Sequence, residues 1–76
     1  MRYFEGVEIT PKTVKQARAL VGKRVKWVSR GDIDYSGRGY FFPQTGTVEE
    51  ASGKNVMISG NWYWIPSIVE MVELAA

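Results

Sequence analysis

The chain has 76 residues, a net charge of +2, three Trp, four Tyr and three Phe, and neither cysteine nor histidine. This length predicts one domain over residues 1–76 that buries only about 60% of its unfolded surface, so its aromatic residues have to form a dense core. The absence of cysteine and histidine excludes disulfides, the common zinc sites and Cys-His or Ser-His nucleophiles. Because no apolar run approaches the roughly 20 residues of a membrane span and residues 1–5 contain no signal-peptide core, we expect a cytoplasmic protein without a membrane partner.

The charges are distributed unevenly along the chain. Residues 1–30 carry eight Lys or Arg and two acids, a net of +6, whereas residues 31–76 carry two Lys or Arg and six acids, a net of −4. Such asymmetry indicates a polyanion-binding surface if the basic residues share one face. The alternative is that the basic and acidic halves lie side by side in the fold and cancel.

An α-helix is predicted over about residues 11–21. Thr10 can cap it, Pro11 suits the first helical position, and Gly22 is a typical stop after the last turn. The apolar residues of this segment share one side of the helix: Val14, Ala17, Leu20 and Val21. The opposite side is basic, with Lys12, Lys15 and Arg18.

Residues 23–29 predict the first strand, in which Val25 and Trp27 point to the core and Arg24, Lys26 and Val28 point to the other side. We expect Trp27 to pack among Val25, Val48 and Val56. The helix and this strand together contain seven basic residues and no acid between residues 12 and 30, which predicts contact with a nucleic-acid backbone. The predicted contact residues are Lys12, Lys15, Arg18, Lys23, Arg24, Lys26 and Arg30.

Residues 30–45 form a long loop whose aromatic end, residues 40–42, is expected to be partly strand-like. Asp32, Asp34 and Gly37 match the first half of a calcium-binding loop. Pro43, however, occupies the twelfth position, where a bidentate Glu is required, so no metal site is predicted. The Asp, Ser and Gly residues are better explained by their preference for turns.

Residues 46–59 predict a β-hairpin with its turn at residues 52–55, and the turn at residues 59–61 leads into a further strand, residues 62–65. Pro66 and Ser67 predict a turn of 3₁₀ helix before a last strand over residues 69–74. The strand alternation places Trp62 and Trp64 on one face and Tyr63 on the other. One of these faces is core, and the sequence leaves open which is exposed.

The sequence WIPSIVE at residues 64–70 resembles the Pro-Ser turn before the last strand of signalling Src-homology-3 domains. The sequence GKRVKWV at residues 22–28, with residues 46–48 and 56–58, is similar to KOW-type barrels that contact RNA or protein. The resemblance implies a mainly β fold, a small Src-homology-3-like barrel of about five strands with one N-terminal α-helix. The opening Ala-Leu-Tyr-type motif of the signalling family is absent, so recognition of proline-rich peptides is not implied.

The function predicted from these features is that of a non-enzymatic binding module without a cofactor. Its acidic pairs, residues 49–50 and 70–73, do not converge on one point by their spacing. The first hypothesis is nucleic-acid binding through the basic helix and first strand. The alternative is a protein-interaction or assembly subunit of a phage or bacterial complex. Its predicted contacts are aromatic side chains of the long loop and meander, Tyr35, Tyr40, Phe41 and Tyr63. The oligomeric state is left open.

Overall fold

The computed structural model describes residues 3–34, 36 and 39–74, which form one short α-helix and five strands. The elements are α1 (Val14–Arg18), β1 (Arg24–Ser29), β2 (Gln44–Ser52), β3 (Asn55–Ile58), β4 (Asn61–Trp64) and β5 (Ile68–Glu73), with 3₁₀ turns at Arg30–Asp32 and Ile65–Ser67. All strands pair antiparallel in the order β4-β3-β2-β1-β5. The mainly β prediction is confirmed. The sheet does not close into a barrel, because β4 and β5 remain at opposite edges.

Strand β2 belongs to two halves of the sheet. Its first residues pair with β1, as in Val25 opposite Gly46, and its last residues pair with β3, as in Ala51 opposite Val56. The pairing with β3 begins at Val48, opposite Ile58, and directly after it the register shifts at Glu49, a β-bulge that bends the strand. The bend folds the β3-β4 half towards the inner face of β1, and the main core lies between them.

The main core is built around Trp27, of which 1% is exposed. Its ring contacts the ring of Tyr63 edge-on, with 4.4 Å between centroids and an interplanar angle of 69°. Val25, Val48 and Val56 belong to the same cluster, as predicted from the alternation of the strands. Helix α1 and the turn after it cover this side of the sheet through two further members of the cluster, Ala17 in the helix and Leu20 in the turn.

A second, smaller core lies on the opposite face of β1 and β5. Val28, predicted to share the outer side of β1 with Arg24 and Lys26, is fully buried there with Phe4 and Val72. The N-terminal residues Tyr3 and Phe4 are held against β5 by the carboxylate of Glu70. This carboxylate is 4% exposed and accepts hydrogen bonds from the backbone N–H groups of Tyr3 (3.1 Å) and Phe4 (2.8 Å). The spacing of the acidic residues had indicated no role for Glu70.

The helix is confirmed but is shorter than predicted. Thr13, not Thr10, caps it, accepting a hydrogen bond from the N–H of Gln16. The hydroxyl of Thr10 is occupied by β5, since it accepts a hydrogen bond from Met71 N (2.9 Å). After Arg18 the chain continues in tighter turns with i to i−3 bonds, which rotate Val21 away from the apolar side and leave it 49% exposed.

Replacing Trp27 by alanine should lower the free energy of unfolding by about 3 kcal/mol or more, because the surrounding strands cannot collapse into the space left by the ring. Urea denaturation followed by far-ultraviolet circular dichroism measures the loss. An unchanged unfolding midpoint would contradict the position of Trp27 in the main core.

Gly46 is expected to resist any side chain, because a Cβ there would lie 2.8 Å from Ile58 Cγ2 and 2.5 Å from Ser59 Oγ. Gly46→Ala should therefore cost about 1–3 kcal/mol of stability, since the buried Ile58 has to move. Gly31→Ala is the matched control: nothing lies within 4 Å of the added Cβ, so its stability should change little. Equal unfolding midpoints for the two variants would show that β2 and β3 do not approach closely at Gly46.

Candidate functional site

The seven basic residues of the predicted nucleic-acid contact lie on two sides of the described sheet. Lys15 and Arg18 project from α1 on the main-core side, because the opposite side of the helix is packed against the core, and Lys12 is exposed just before the helix. Arg24 and Lys26 alternate with buried Val25 and Trp27, so they project from the other side of β1. Arg30 is exposed at the far end of β1, where the 3₁₀ turn begins.

Several of these side chains have structural partners. The ammonium of Lys23 lies 3.3 Å from the carboxylate of Glu73, and that of Lys26 lies 5.3 Å from the centre of the Phe4 ring. The guanidinium of Arg18 donates to the carbonyl of Ala51. Both members of the Lys23–Glu73 pair are partly exposed, so the pair adds little stability, but it neutralises part of the basic charge.

The aromatic residues of the long loop lie at the β1-β5 end of the sheet. Phe41 contacts Tyr3 and Phe4 edge-on, with ring centroids 5.0 and 5.8 Å away. A bridge between Ile33 and Phe41 confirms the predicted strand-like end of the loop. Tyr40 is 61% exposed, and Tyr35 lies outside the described residues.

The loop carboxylates are engaged in hydrogen bonds within the loop and to β2. Asp32 accepts from the hydroxyl of Ser29 and from the side-chain amide of Gln44, both at 2.8 Å. Partial burial opposes the ionisation of Asp32, but the hydrogen bonds from Gln44 and Ser29 outweigh it and lower the pKa of Asp32. Hydrogen bonding from the side chain of Ser36, and then from Ser36 N, lowers the pKa of Asp34. These bonds hold the loop in place, as expected for turn-forming carboxylates.

Strand β4 carries the exposed aromatic pair of the meander. Trp62 is 47% and Trp64 is 53% exposed, whereas Tyr63 points inward onto Trp27. The hydroxyl of Tyr63 also lies 3.5 Å from the side-chain oxygen of Gln44. The sequence did not decide which face of β4 is exposed, and in the structure the exposed face is the one that carries the tryptophans. Tyr63, named from the sequence as a contact residue, is half-buried against the core, and the two tryptophans are the side chains available to a partner.

Met57 extends the tryptophan pair across the sheet. It lies directly opposite Trp62 on β3, and Glu50 lies opposite Met57 on β2, so one row runs across three strands. Neighbours in such a row stand about 5 Å apart. We call Trp62, Trp64 and Met57 the outer aromatic face. The alternation of buried Val56 and Ile58 around Met57 was the sequence signal for this position.

A groove of about 400 Å³ opens at the C-terminal end of β4. Its apolar walls are Val14, Ile65 and Pro66, and two lysines, Lys12 and Lys54, stand at its rim. It begins one residue after Trp64, so a partner lying along β4 could contact both the groove and the outer aromatic face.

Comparison with known proteins identifies no relative: no family model, no curated protein and no solved structure matches this chain. Across the described residues, no helix has the length and apolar character required to cross a membrane.

The two exposed tryptophans should matter far less for stability than Trp27. Trp62→Ser and Trp64→Ser should each lower the free energy of unfolding by about 1 kcal/mol or less, because each loses only cross-strand contacts on a half-exposed face. Urea denaturation of these variants beside Trp27→Ala makes the comparison. A cost near that of Trp27→Ala for either variant would contradict the assignment of both indoles to the surface.

Proposed function

We propose that this protein is a non-enzymatic binding module that recognises a protein partner through the outer aromatic face. The observation that carries the proposal is the pair of half-exposed tryptophans, Trp62 and Trp64, side by side on one face of β4. In a chain of 76 residues, aromatic area is the main source of core stability, and leaving two indoles outside forgoes part of it. Aromatic and Met side chains are enriched in the cores of protein interfaces.

The area of the two indoles sets the scale of the interaction. About half of each tryptophan is exposed, so complete burial would remove about 200 Å² from water, given side-chain areas of roughly 150–250 Å². At about 25 cal/mol per Å² this contributes about 5 kcal/mol. Association itself costs about 4 kcal/mol or more. The partner therefore needs further contacts, which the neighbouring groove beside Ile65 and Pro66 offers.

The charges near the face favour a protein over a nucleic acid. Glu50 stands in the same row as Trp62 and Met57, and Glu49 is exposed at the adjacent bulge. Two carboxylates beside the aromatic side chains repel a phosphate backbone that would have to follow stacked bases. The basic residues of α1 and β1 are divided between two sides of the sheet and do not compensate for this repulsion.

The proposal includes the finer fold assignment, a Src-homology-3-like small barrel that stays open between the edge strands β4 and β5. Its support is the 3₁₀ turn Ile65–Ser67, which directly precedes the last strand, as in the family that the sequence resembles. The function does not depend on this assignment, because one fold carries many unrelated activities.

The test is selection of peptides from a random library displayed on phage, using the wild-type protein as bait. Synthetic versions of the selected peptides are then titrated by calorimetry against wild type and Trp62→Ala/Trp64→Ala. We expect the double variant to bind at least about 30-fold more weakly, the effect of losing one hot-spot residue of about 2 kcal/mol. Phe42→Ala is the matched control, because Phe42 is an aromatic residue of the loop with 67% exposure. It should bind like wild type.

Peptides whose affinity depends on Phe42 and not on the tryptophans would contradict the proposal. The competing function is tested with fluorescent single- and double-stranded oligonucleotides of mixed sequence in a salt titration. Binding that falls steeply with salt and is lost in Lys15→Glu/Lys26→Glu would replace protein recognition by nucleic-acid binding.

A further inference from the structure

The two edges of the sheet differ in whether another segment of the chain covers them. The edge of β5 is covered by residues 8–10: Glu8 forms a bridge with Val72, Ile9 N donates to Met71 O at 2.8 Å, and Met71 N donates to the hydroxyl of Thr10. Strand β4 is the opposite edge, and β3 is its only strand partner among the described residues. One edge of this sheet is thus closed, and the other is open.

The backbone groups at the open edge belong to the two tryptophans. A two-residue turn joins β3 and β4, so Ile58 and Asn61 form the closing hydrogen-bonded pair, and every second residue of β4 bonds to β3. The bond from Ile65 N to Lys54 O, 2.9 Å, continues this series beyond Tyr63. The N–H and C=O groups of Trp62 and Trp64 therefore point away from β3, and the carbonyl of Trp64 accepts a hydrogen bond of 2.7 Å from the hydroxyl of Ser67.

Apart from its short length of four residues, strand β4 lacks the features that normally protect an edge. Its residues, Asn61–Trp64, include no charged side chain and no proline. Natural sheets prevent edge pairing with lysine, proline, bulges or a covering segment. An open, uncharged and aromatic edge is therefore available for pairing with another strand.

We propose that the strand that pairs with β4 is β4 of a second copy of this chain, antiparallel about a two-fold axis at Tyr63. A two-fold axis at Tyr63 places Trp62 of each copy opposite Trp64 of the other. Because the segment Trp62-Tyr63-Trp64 reads the same in both directions, the pairing contains two identical tryptophan pairs. Each such pair exchanges two backbone hydrogen bonds, for which the carbonyl of Trp64 uses the lone pair that Ser67 does not occupy. The four indoles then lie on one continuous face as two cross-strand aromatic pairs.

The charges at the two ends of β4 complement each other in this arrangement. Glu49 lies at the beginning of β4, where its carboxylate accepts a hydrogen bond from Gly60 N. Lys54 lies at the end, where its carbonyl accepts from Ile65 N, and Lys12 lines the same groove. Antiparallel pairing brings the beginning of one strand beside the end of the other. Glu49 of each copy thus faces the Lys54 end of the second copy.

Assembly stops at two chains, because the covered β5 edge cannot accept a further β4 strand and the two-fold axis uses both open edges. The paired strands are short, and their interface is smaller than the roughly 800 Å² per partner of a standard complex. We therefore expect weak association, with a dissociation constant of about 10 µM to 1 mM. This inference rests on the open edge and not on the proposed function, although dimerisation would double the outer aromatic face.

Sedimentation equilibrium of the full chain at about 10 µM to 2 mM, spanning the expected constant, tests the pairing. The average mass should rise from 8.6 kDa towards twice that value and no further. Trp62→Pro removes one outward N–H at a position where an edge strand tolerates proline, and it should weaken association at least tenfold. Phe42→Ser is the control, because Phe42 is an exposed aromatic residue outside β4, and it should leave association unchanged.

A charge exchange tests the register without proline. Glu49→Lys and Lys54→Glu should each weaken self-association, whereas an equimolar mixture of the two variants should form a heterodimer at least as tight as wild type. A mass of 8.6 kDa at every concentration would overturn the proposal. So would a mass that grows beyond two chains, a dimer unaffected by Trp62→Pro in a folded variant, or a mixture that fails to associate. Peptide binding that persists in a monomeric wild-type protein would leave the proposed function intact.

Discussion

The bend of β2 determines how the rest of this sheet is arranged. Residues 44–47 of this strand pair with β1 and residues 48–52 pair with β3, with the bulge at Glu49 close to the change of partner, so both halves of the sheet share a single inner face. Gly46 permits the approach, because any Cβ there would collide with Ile58 and Ser59 at the end of β3. A flat sheet of five short strands would expose one side of every strand. The bend instead encloses Trp27 between the two halves and α1.

The packing of Tyr63 against Trp27 in the main core also explains why the other two tryptophans are exposed to solvent. Tyr63 faces Trp27, and the period of two along β4 then requires Trp62 and Trp64 to point to solvent. On the other side of β1, the N-terminal segment and the loop supply the second core, but they do not reach across to β4, at the opposite edge. The same topology that completes the core thus leaves an aromatic face uncovered at one edge.

The charged residues are also distributed between the two faces and the two ends of the sheet. The basic residues close together in the sequence are separated by the strand alternation and by the position of α1, and Lys23 and Lys26 are engaged by Glu73 and Phe4. Conversely, Glu49 and Lys54 lie at the two ends of β4, although they are only five residues apart in the chain. A partner that follows β4 therefore meets an acidic end, a neutral aromatic centre and a basic end. This pattern suits an oppositely directed strand better than a uniformly charged polymer.

The sequence by itself determined the elements whose signals are local. Alternation identified β1 and the inward side of Trp27, turn residues located the hairpin of β2 and β3, and Pro66 predicted the 3₁₀ turn before β5. It could not determine where α1 begins, because the hydroxyl of Thr10 bonds to β5 instead of capping the helix. Nor could it assign Glu70, whose partners are 66 and 67 residues away. Only the tertiary structure decided which side of β4 is exposed, because alternation separates two faces of a strand but does not say which of them meets the core.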